Sequence, residues 1–153
     1  HRSFLELEGL DRHDCVLSMY DSVNYLLNHE DMGRMFAHVH SIVHRGGLFI
    51  FDVCTETNSI RHFRDMHERE RGDGFSYTRH SYYKEGMQYN DFKIRFDNPD
   101  RELHELHQQR IYPLKEIEKV IKDSSFELEA AYDGFSFMDP SEDSDRVHFV
   151  LRA

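Results

Sequence analysis

Two short runs of consecutive apolar residues stand out in the first third of the chain, at residues 15–19 and 48–53. Between them, apolar side chains recur at steps of three and four residues from Met32 to Val43. Uninterrupted apolar runs are typical of strands covered on both faces of a parallel sheet, and steps of three and four are typical of one buried helix face. The pattern therefore predicts a strand, a helix and a strand joined by a right-handed crossover over residues 14–53.

Local signals indicate where the predicted helix begins and ends. Asn28 has a side chain that can cap the helix start, and Asp31 follows three residues later in the first turn. Gly46 and Gly47 can adopt the left-handed conformation that ends many helices. We therefore expect the helix to begin after Asn28 and to stop at the two glycines.

The pattern changes after Asp52. Residues 55–71 are polar with scattered apolar positions, which predicts a short helix lying over the end of the sheet. Three strand candidates separated by turn residues follow. They are residues 75–83, 87–96 and 101–112. Residues 73–112 are therefore predicted to form an antiparallel meander inserted in the domain, as a lid or a dimerisation element.

The C-terminal part of the chain predicts one more helix and a pair of strands. Pro113 suits the first position of a helix that ends near Asp123. Residues 126–132 and 147–151 are strand candidates joined by an acidic loop, which suits an antiparallel pair at the edge of the sheet. The whole chain is thus expected to be one α/β domain.

The composition narrows the classes of partner. The 153 residues carry a net charge of −10, which disfavours nucleic acid because binding to a phosphate backbone relies on Lys and Arg. No apolar run approaches the roughly 18 residues that span a bilayer, and no signal-peptide pattern is present. We therefore expect a cytoplasmic domain that binds a small molecule and has no nucleic-acid or membrane partner.

The cysteine and histidine positions give little support to a disulfide or a metal site. Cys15 and Cys54 each fall in or at the end of a strand candidate, where a thiol behaves as a small hydrophobic group. Two histidine pairs lack the third ligand that a catalytic zinc site usually needs. The pairs are His40 with His44 and His104 with His107. No metal is expected.

Three segments carry a family resemblance. They are residues 20–27 after a strand, residues 44–53 through the double glycine, and residues 107–112 before a helix. In this order, they make the chain similar to the C-terminal part of a class I S-adenosylmethionine-dependent methyltransferase of the small-molecule type. The resemblance implies a Rossmann-like sheet with an inserted meander, S-adenosylmethionine as cofactor, and N- or O-methyl transfer. The family's glycine-rich cofactor loop is not among these residues, so this chain alone is expected to bind the cofactor incompletely.

The resemblance also implies a set of site residues. Ser18, Met19, Tyr20 and Asp21 follow the fourth strand of the family and would line the cofactor. Arg2, Ser3 and Phe4 resemble the segment after the family's third strand and would lie on the adenine side. The alternatives are that Asp21 or Ser22 only caps the next turn and that Tyr20 and Tyr25 are aromatic residues at the edge of the core.

Further residues are assigned to the substrate side and to proton transfer. Asn24, Tyr25, Asp52, His107 and Arg110 are the substrate-side candidates. His107 and Arg110 would point to opposite faces of a strand, and we expect His107 in the cleft and Arg110 in packing. His80 corresponds to a histidine proposed as general base in sugar N-methyltransferases, and a solvated strand histidine is the alternative.

Two functional hypotheses remain open from the sequence. The first is a methyltransferase of which this chain is the C-terminal portion. The second is a non-catalytic module that uses the sheet and the meander for dimerisation or assembly. In either case the strand at residues 15–19 would have an unpaired apolar edge, so we expect a homo-oligomer or dependence on a preceding segment.

Overall fold

The computed structural model describes residues 3–141 and 143–153. Its elements are β1 (His13–Ser18), a 3-10 helix (Ser22–Tyr25), α1 (His29–Ser41), β2 (Val43–Cys54), α2 (Glu56–His62), β3 (Asp65–Gly72), β4 (Phe75–Lys84), β5 (Met87–Asp97), β6 (Asp100–Arg110), α3 (Leu114–Asp123), β7 (Glu127–Asp133) and β8 (Arg146–Arg152). They form two four-stranded sheets, and no helix in the described ranges is long and apolar enough to cross a bilayer.

The first sheet contains the predicted strand–helix–strand unit. Its strand order is β1-β2-β8-β7, with β1 parallel to β2 and the other neighbours antiparallel. The C-terminal pair is antiparallel as predicted, although β8 lies inside the sheet and only β7 is at the edge. This order brings the carboxyl ends of β1 and β2 together at one end of the sheet.

One face of the first sheet holds the core. Phe36 of α1 packs edge-on against Phe49 and Phe51 of β2, with ring centroids 5.9 and 5.5 Å apart. Phe51 in turn stacks on Phe149 of β8 at 5.1 Å. Ile117 of α3 is fully buried in the same cluster. The alternating residues of β2 and β8 therefore supply the apolar layer that the two long helices cover.

The opposite face of β1 is open. Leu17 is 62% exposed and Cys15 is also exposed, so the prediction that this run is covered on both faces is wrong for β1. The strand lies at the edge of the sheet, with β2 as its neighbour. The expectation of an unpaired apolar edge is confirmed.

Helix α1 begins as predicted and ends early. The Asn28 side chain accepts the backbone N–H of Asp31, which confirms the cap. The helix ends at Ser41, because Val43 already pairs with His13 of β1. Gly47 lies inside β2, where a side-chain carbon would come within 2.7 Å of the Asp14 carbonyl oxygen. This glycine allows close strand contact and does not stop the helix.

The second sheet is the predicted meander with one strand more. Its order is β3-β4-β5-β6 and all its neighbours are antiparallel. Strand β3 was not predicted, and α2 occupies only the first part of the segment expected to be helical. Glu85 and Gly86 both have positive φ and join β4 to β5 in a two-residue hairpin whose twist suits the sheet. Pro113 precedes α3 as its N-cap and is not its first helical residue.

Candidate functional site

A cleft of about 550 Å³ opens between the two sheets. It lies where the carboxyl ends of β1 and β2 meet one face of β4, β5 and β6, which we call the inner face of the second sheet. Ligands of open α/β sheets bind at strand carboxyl ends, and ligand pockets commonly measure about 300–1,000 Å³. The polar lining includes Tyr20, Asp21, Tyr25, Glu105, His107 and Arg146.

Two carboxylates share one arginine at the floor of the cleft. Arg146 donates to Asp52 and to Asp21, and the bond to Asp21 measures 2.8 Å. The backbone N–H of Asp21 donates to Asp52 at 3.1 Å, and Gln109 donates to the Asp21 carboxylate at 2.7 Å. The Asp52 side chain is only 2% exposed, so the arginine compensates a charge that lies away from water. These contacts join the two sheets at one point.

Arg146 was not among the residues predicted from the sequence. Its carboxylate partners lie 94 and 125 positions earlier in the chain, and pairs of that separation leave no local pattern. Burial alone would lower the pKa of Arg146, but Cys54, Asp21 and Asp52 raise it above its ordinary value. The arginine therefore stays protonated and holds both aspartates.

The segment after β1 has a constrained backbone. Tyr20 and Asp21 have φ values of 59° and 51°, in the left-handed region that residues with side chains seldom adopt. Asp21 precedes the 3-10 helix but makes no side-chain cap bond, so the alternative that it only caps a turn is not supported. Tyr20 is 83% exposed, so it is not an aromatic at the edge of the core. Strained residues cluster at functional sites, and each costs about 1–3 kcal/mol.

A histidine on the inner face of the second sheet is held by two partners. Tyr25 Oη lies 2.8 Å from His107 Nδ1, and His107 Nε2 lies 3.3 Å from Glu105 Oε2. Because a carboxylate only accepts, Glu105 favours the tautomer with hydrogen on Nε2, which leaves Nδ1 to accept from the tyrosine hydroxyl. Burial, then the nearby Asp21, raises the pKa of Tyr25, so its hydroxyl stays protonated. His107 lines the cleft.

Arg79 supplies a cation on the other side of the cleft. Its guanidinium lies 5.1 Å from the Phe63 ring centroid and 5.3 Å from that of Phe92, and it donates to Asn90 at 2.8 Å. Its Nε is buried with no partner among the described residues. The Oε1 atom of Gln88, a residue that lines the same cleft, is also buried without a partner among the described residues. Unpaired buried polar atoms in a cleft are suited to bind a polar ligand.

Two of the predicted substrate residues have structural roles. Asn24 is fully buried, donating to the Arg110 carbonyl at 2.8 Å and accepting the Cys54 N–H at 3.0 Å. The Arg110 guanidinium lies 5.9 Å from the Tyr112 ring centroid, on the opposite side of β6 from the cleft. The structure therefore places Tyr25 and His107 in the lining of the cleft, but leaves Asn24, Asp52 and Arg110 outside it.

His80 lies on the outer face of the second sheet, opposite the cleft. Its Nε2 lies 2.9 Å from Asp65 Oδ1, and its ring stacks on His67 at 4.1 Å. Neighbouring residues of a strand point to opposite faces, so Arg79 reaches the cleft and His80 does not. His107 is the histidine found in the lining of the cleft, within the part of the chain that the structure describes.

The other residues predicted on the cofactor side lie in different environments. Ser18 is buried, and its hydroxyl has no partner among the described residues. Met19 is half-buried and its carbonyl accepts the Ser22 hydroxyl at 2.7 Å. Phe4 packs against the core cluster and Ser3 lies in an exposed turn. Arg2 lies outside the described residues.

Asn24 is expected to be the most important uncharged polar side chain for stability. Asn24→Ala leaves a buried carbonyl and a buried N–H without partners, so we expect a loss of about 2 kcal/mol in the free energy of unfolding. Urea unfolding followed by circular dichroism measures this loss. Asn58→Ala, which removes one bond to the Cys54 sulfur, is the control and should cost less. Equal losses would contradict the structural role of Asn24.

Cys54 is expected to be an unreactive thiol despite lining the cleft. Burial first, and then the nearby Asp21, raises the pKa of Cys54 from 9.0 to about 12. At neutral pH a thiol reagent should therefore modify the exposed Cys15 and spare Cys54 until urea unfolds the chain. The unfolded chain releases this proton first, so the Cys54 contribution to stability should be lost as the pH rises from about 9 to about 12. Native labelling at Cys54, detected by peptide mass mapping, would contradict this.

Solved structures with this fold are S-adenosylmethionine-dependent methyltransferases. An S-adenosylmethionine-dependent methyltransferase from Clostridium acetobutylicum ATCC 824 matches with a TM-score of 0.81 and 20% identity, over 99% of this chain and 62% of that one. The sugar N-methyltransferase KedS8 from Streptoalloteichus sp ATCC 53650 matches with a TM-score of 0.71 and 13% identity, over 99% and 61%. The predicted fold, the C-terminal part of a methyltransferase domain, is confirmed.

Two curated relatives are methyltransferases by name. One, from Geobacillus sp. (strain WCH70), is 29% identical over 157 residues, which cover 99% of this chain and 63% of the relative. The other, YqeM of Bacillus subtilis (strain 168), is 28% identical over 94% of this chain and 60% of the relative. No family model matches the sequence. The chain thus spans about 60% of the length of these relatives, and the resemblance to methyltransferases stated from its motifs is confirmed.

Proposed function

We propose that the chain provides the substrate side of an S-adenosylmethionine-dependent methyltransferase that acts on a small polar molecule by N- or O-methyl transfer. The observation that carries the proposal is the cleft, in which the carboxyl ends of β1 and β2 meet the Tyr25–His107–Glu105 array. The fold shared with S-adenosylmethionine-dependent methyltransferases, among them a sugar N-methyltransferase, supports it.

The residues after β1 fit one side of the cofactor. The buried Ser18 hydroxyl has no partner in the part of the chain that the structure describes, and Tyr20, two residues later, combines a strained backbone with an exposed aromatic ring. The cofactor would be held at the carboxyl end of β1 by Ser18, Met19, Tyr20 and Asp21. When bound, S-adenosylmethionine supplies an electrophilic methyl group attached to a sulfonium sulfur.

The residues of the inner face suit proton removal from a nucleophile. A substrate amine or hydroxyl beside Tyr25 can release its proton through the tyrosine hydroxyl to His107 Nδ1, while Glu105 stabilises the resulting imidazolium through Nε2–H. The fixed ion pair at the floor keeps Asp21 in place, and the rings of Phe63 and Phe92 lie against the Arg79 guanidinium. Positioning and one proton transfer are the two contributions of these side chains.

A second candidate is the assembly module, favoured by the open edge at β1. A non-catalytic chain would use this apolar edge, with Leu17 exposed, to associate with another polypeptide. Association alone does not exclude catalysis, so cofactor binding decides between the two functions.

Calorimetric titration of S-adenosylhomocysteine into the chain tests the proposal. We expect saturable binding that Tyr20→Ala weakens, because the exposed ring lies at the proposed cofactor side. The matched control is Phe137→Ala, which removes an equally exposed aromatic ring outside the cleft. Binding should then be followed by a radiolabelled methyl-transfer screen of amino sugars and hydroxylated small molecules. No binding, either to this chain or to one extended at its N-terminus, would favour the assembly module.

A further inference from the structure

The outer face of the second sheet carries a second group of convergent side chains. Asp65 and His67 lie on β3, and His80 lies on β4, where it pairs in register with His67. The two imidazole rings are parallel within 4° and their centroids are 4.1 Å apart. None of these three residues lines the cleft on the inner face. The group therefore needs an explanation separate from methyl transfer.

The distances within the group match the spacing of metal ligands. Asp65 Oδ1 lies 2.9 Å from His80 Nε2 and 3.5 Å from His67 Nε2. Ligands about 2.0–2.1 Å from a tetrahedral zinc ion are about 3.3 Å from one another, which lies between these two values. The three ligand atoms all fall within 4.8 Å of one another. One carboxylate oxygen and two imidazole nitrogens are thus close enough to share one ion after one of the stacked rings turns, because a ring nitrogen binds a metal ion in the plane of its ring.

We propose that Asp65, His67 and His80 bind a divalent transition-metal ion of the zinc class. Imidazole nitrogen suits zinc, cobalt and nickel, and the mixed nitrogen and oxygen set does not favour magnesium or calcium. The side chains of Asp65 and His67 are 73% and 71% exposed, so water can fill a remaining coordination position. A site with three protein ligands and an open position has the ligand count of a catalytic zinc centre.

The surroundings of the group define its charge and its extent. Arg69 and Lys93 line the groove that contains the two histidines, together with the oppositely charged Glu68 and Asp91. Asp65 lies next to this groove, 2.9 Å from His80. Asp91 already accepts His104 at 2.7 Å, which leaves Asp65 as the carboxylate aimed at the two stacked rings. The proposed ion therefore sits at the β3 end of the groove, between two strands.

The position of the site gives the ion a structural consequence. Strand β3 is at the edge of the sheet and pairs with β4 along its length. An ion held by two residues of β3 and one of β4 would cross-link the edge strand to its neighbour. Since it binds the folded arrangement, it should raise the thermal midpoint of unfolding.

Titration with Zn²⁺ and Co²⁺ tests the proposal. Calorimetry is expected to show one saturable equivalent of Zn²⁺ per chain, and bound Co²⁺ should develop the visible absorption of a low-coordinate site. His67→Gln and His80→Gln should each weaken binding by about tenfold or more, because each removes one of three protein ligands. Both variants should also lose the increase in thermal midpoint that Zn²⁺ gives the unmodified chain.

His29→Gln is the matched control. His29 Nε2 lies 2.9 Å from Glu116 Oε2, the same distance as in the His80–Asp65 pair, but this pair has no second histidine. The His29→Gln variant should therefore bind Zn²⁺ like the unmodified chain. Circular dichroism verifies that the exposed substitutions leave the fold intact. The proposal is overturned if Zn²⁺ fails to bind saturably, or if both glutamine variants retain the unmodified affinity. Neither result bears on methyl transfer, because the site lies outside the cleft.

Discussion

Arg146→Met should lower the free energy of unfolding by about 3 kcal/mol or more. The substitution removes the cation that compensates Asp52, whose side chain is 2% exposed, and it also releases Asp21. Breaking a buried ion pair by removing one partner typically costs about 3–5 kcal/mol, because the remaining charge stays buried without compensation. Urea unfolding at neutral pH measures the loss.

Two further variants separate the lost charge compensation from lost packing. Asp52→Asn added to Arg146→Met should recover part of the stability, because the amide oxygen still accepts the Asp21 N–H and position 52 no longer carries a buried charge. Arg152→Met removes an arginine from the same strand whose partner, Glu129, is an exposed carboxylate, so its effect should be much smaller. If Arg146→Met and Arg152→Met cause equally small losses in the free energy of unfolding, the contacts of Arg146 stabilise the fold no more than an exposed ion pair does.

In the proposed methyltransferase, His107→Gln should lower kcat by about a hundredfold on a substrate whose nucleophile carries a proton. Glutamine keeps a polar group beside Tyr25 but cannot take up the proton, and general base catalysis typically contributes about 10²–10⁴ in rate. The affinity for S-adenosylhomocysteine should change little, because the imidazole contacts Tyr25 and Glu105. The kcat of the variant should rise with pH as more substrate arrives deprotonated.

Two further histidine variants test whether the general-base role belongs to His107. His104→Gln changes a histidine of the same strand on the opposite face, also paired with a carboxylate at 2.7 Å, and should leave kcat unchanged. His80→Gln tests the base implied by the family resemblance. A large loss of kcat with His80→Gln, together with an active His107→Gln enzyme, would reverse the assignment made from the cleft.

Much of the fold was predictable because its signals are local. Capping by Asn28 and the alternation of β5 each depend on residues a few positions apart. Strand β3 was missed because it is an edge strand of mostly exposed charged residues, which leaves no apolar period to detect. The end of α1 was misplaced because Ile42 and Val43 continue the helical spacing although Val43 already belongs to β2.

The candidate site was less predictable, because it is formed by contacts between residues that are far apart in the sequence. His107 could be placed by the two-residue period of a strand, which separates it from Arg110. Nothing near Arg146 indicates that it bonds to Asp21 and Asp52, and the buried role of Asn24 depends on a carbonyl 86 positions away. His80 was assigned by resemblance, and the missed strand β3 contains its two partners.

The attachment of the second sheet has a mechanical consequence. Strand β6 is tied to the first sheet by the Gln109–Asp21 bond at 2.7 Å and the Asn24–Arg110 bond at 2.8 Å, whereas β3 lies at the far edge. A sheet that is held along one edge bends most at the opposite edge. Any widening of the cleft should therefore come from flexing of β3 and β4, which moves Arg79 while His107 stays in place. In the proposed function, substrates of different size would then be accommodated on the arginine side, with the proposed proton acceptor at a constant position.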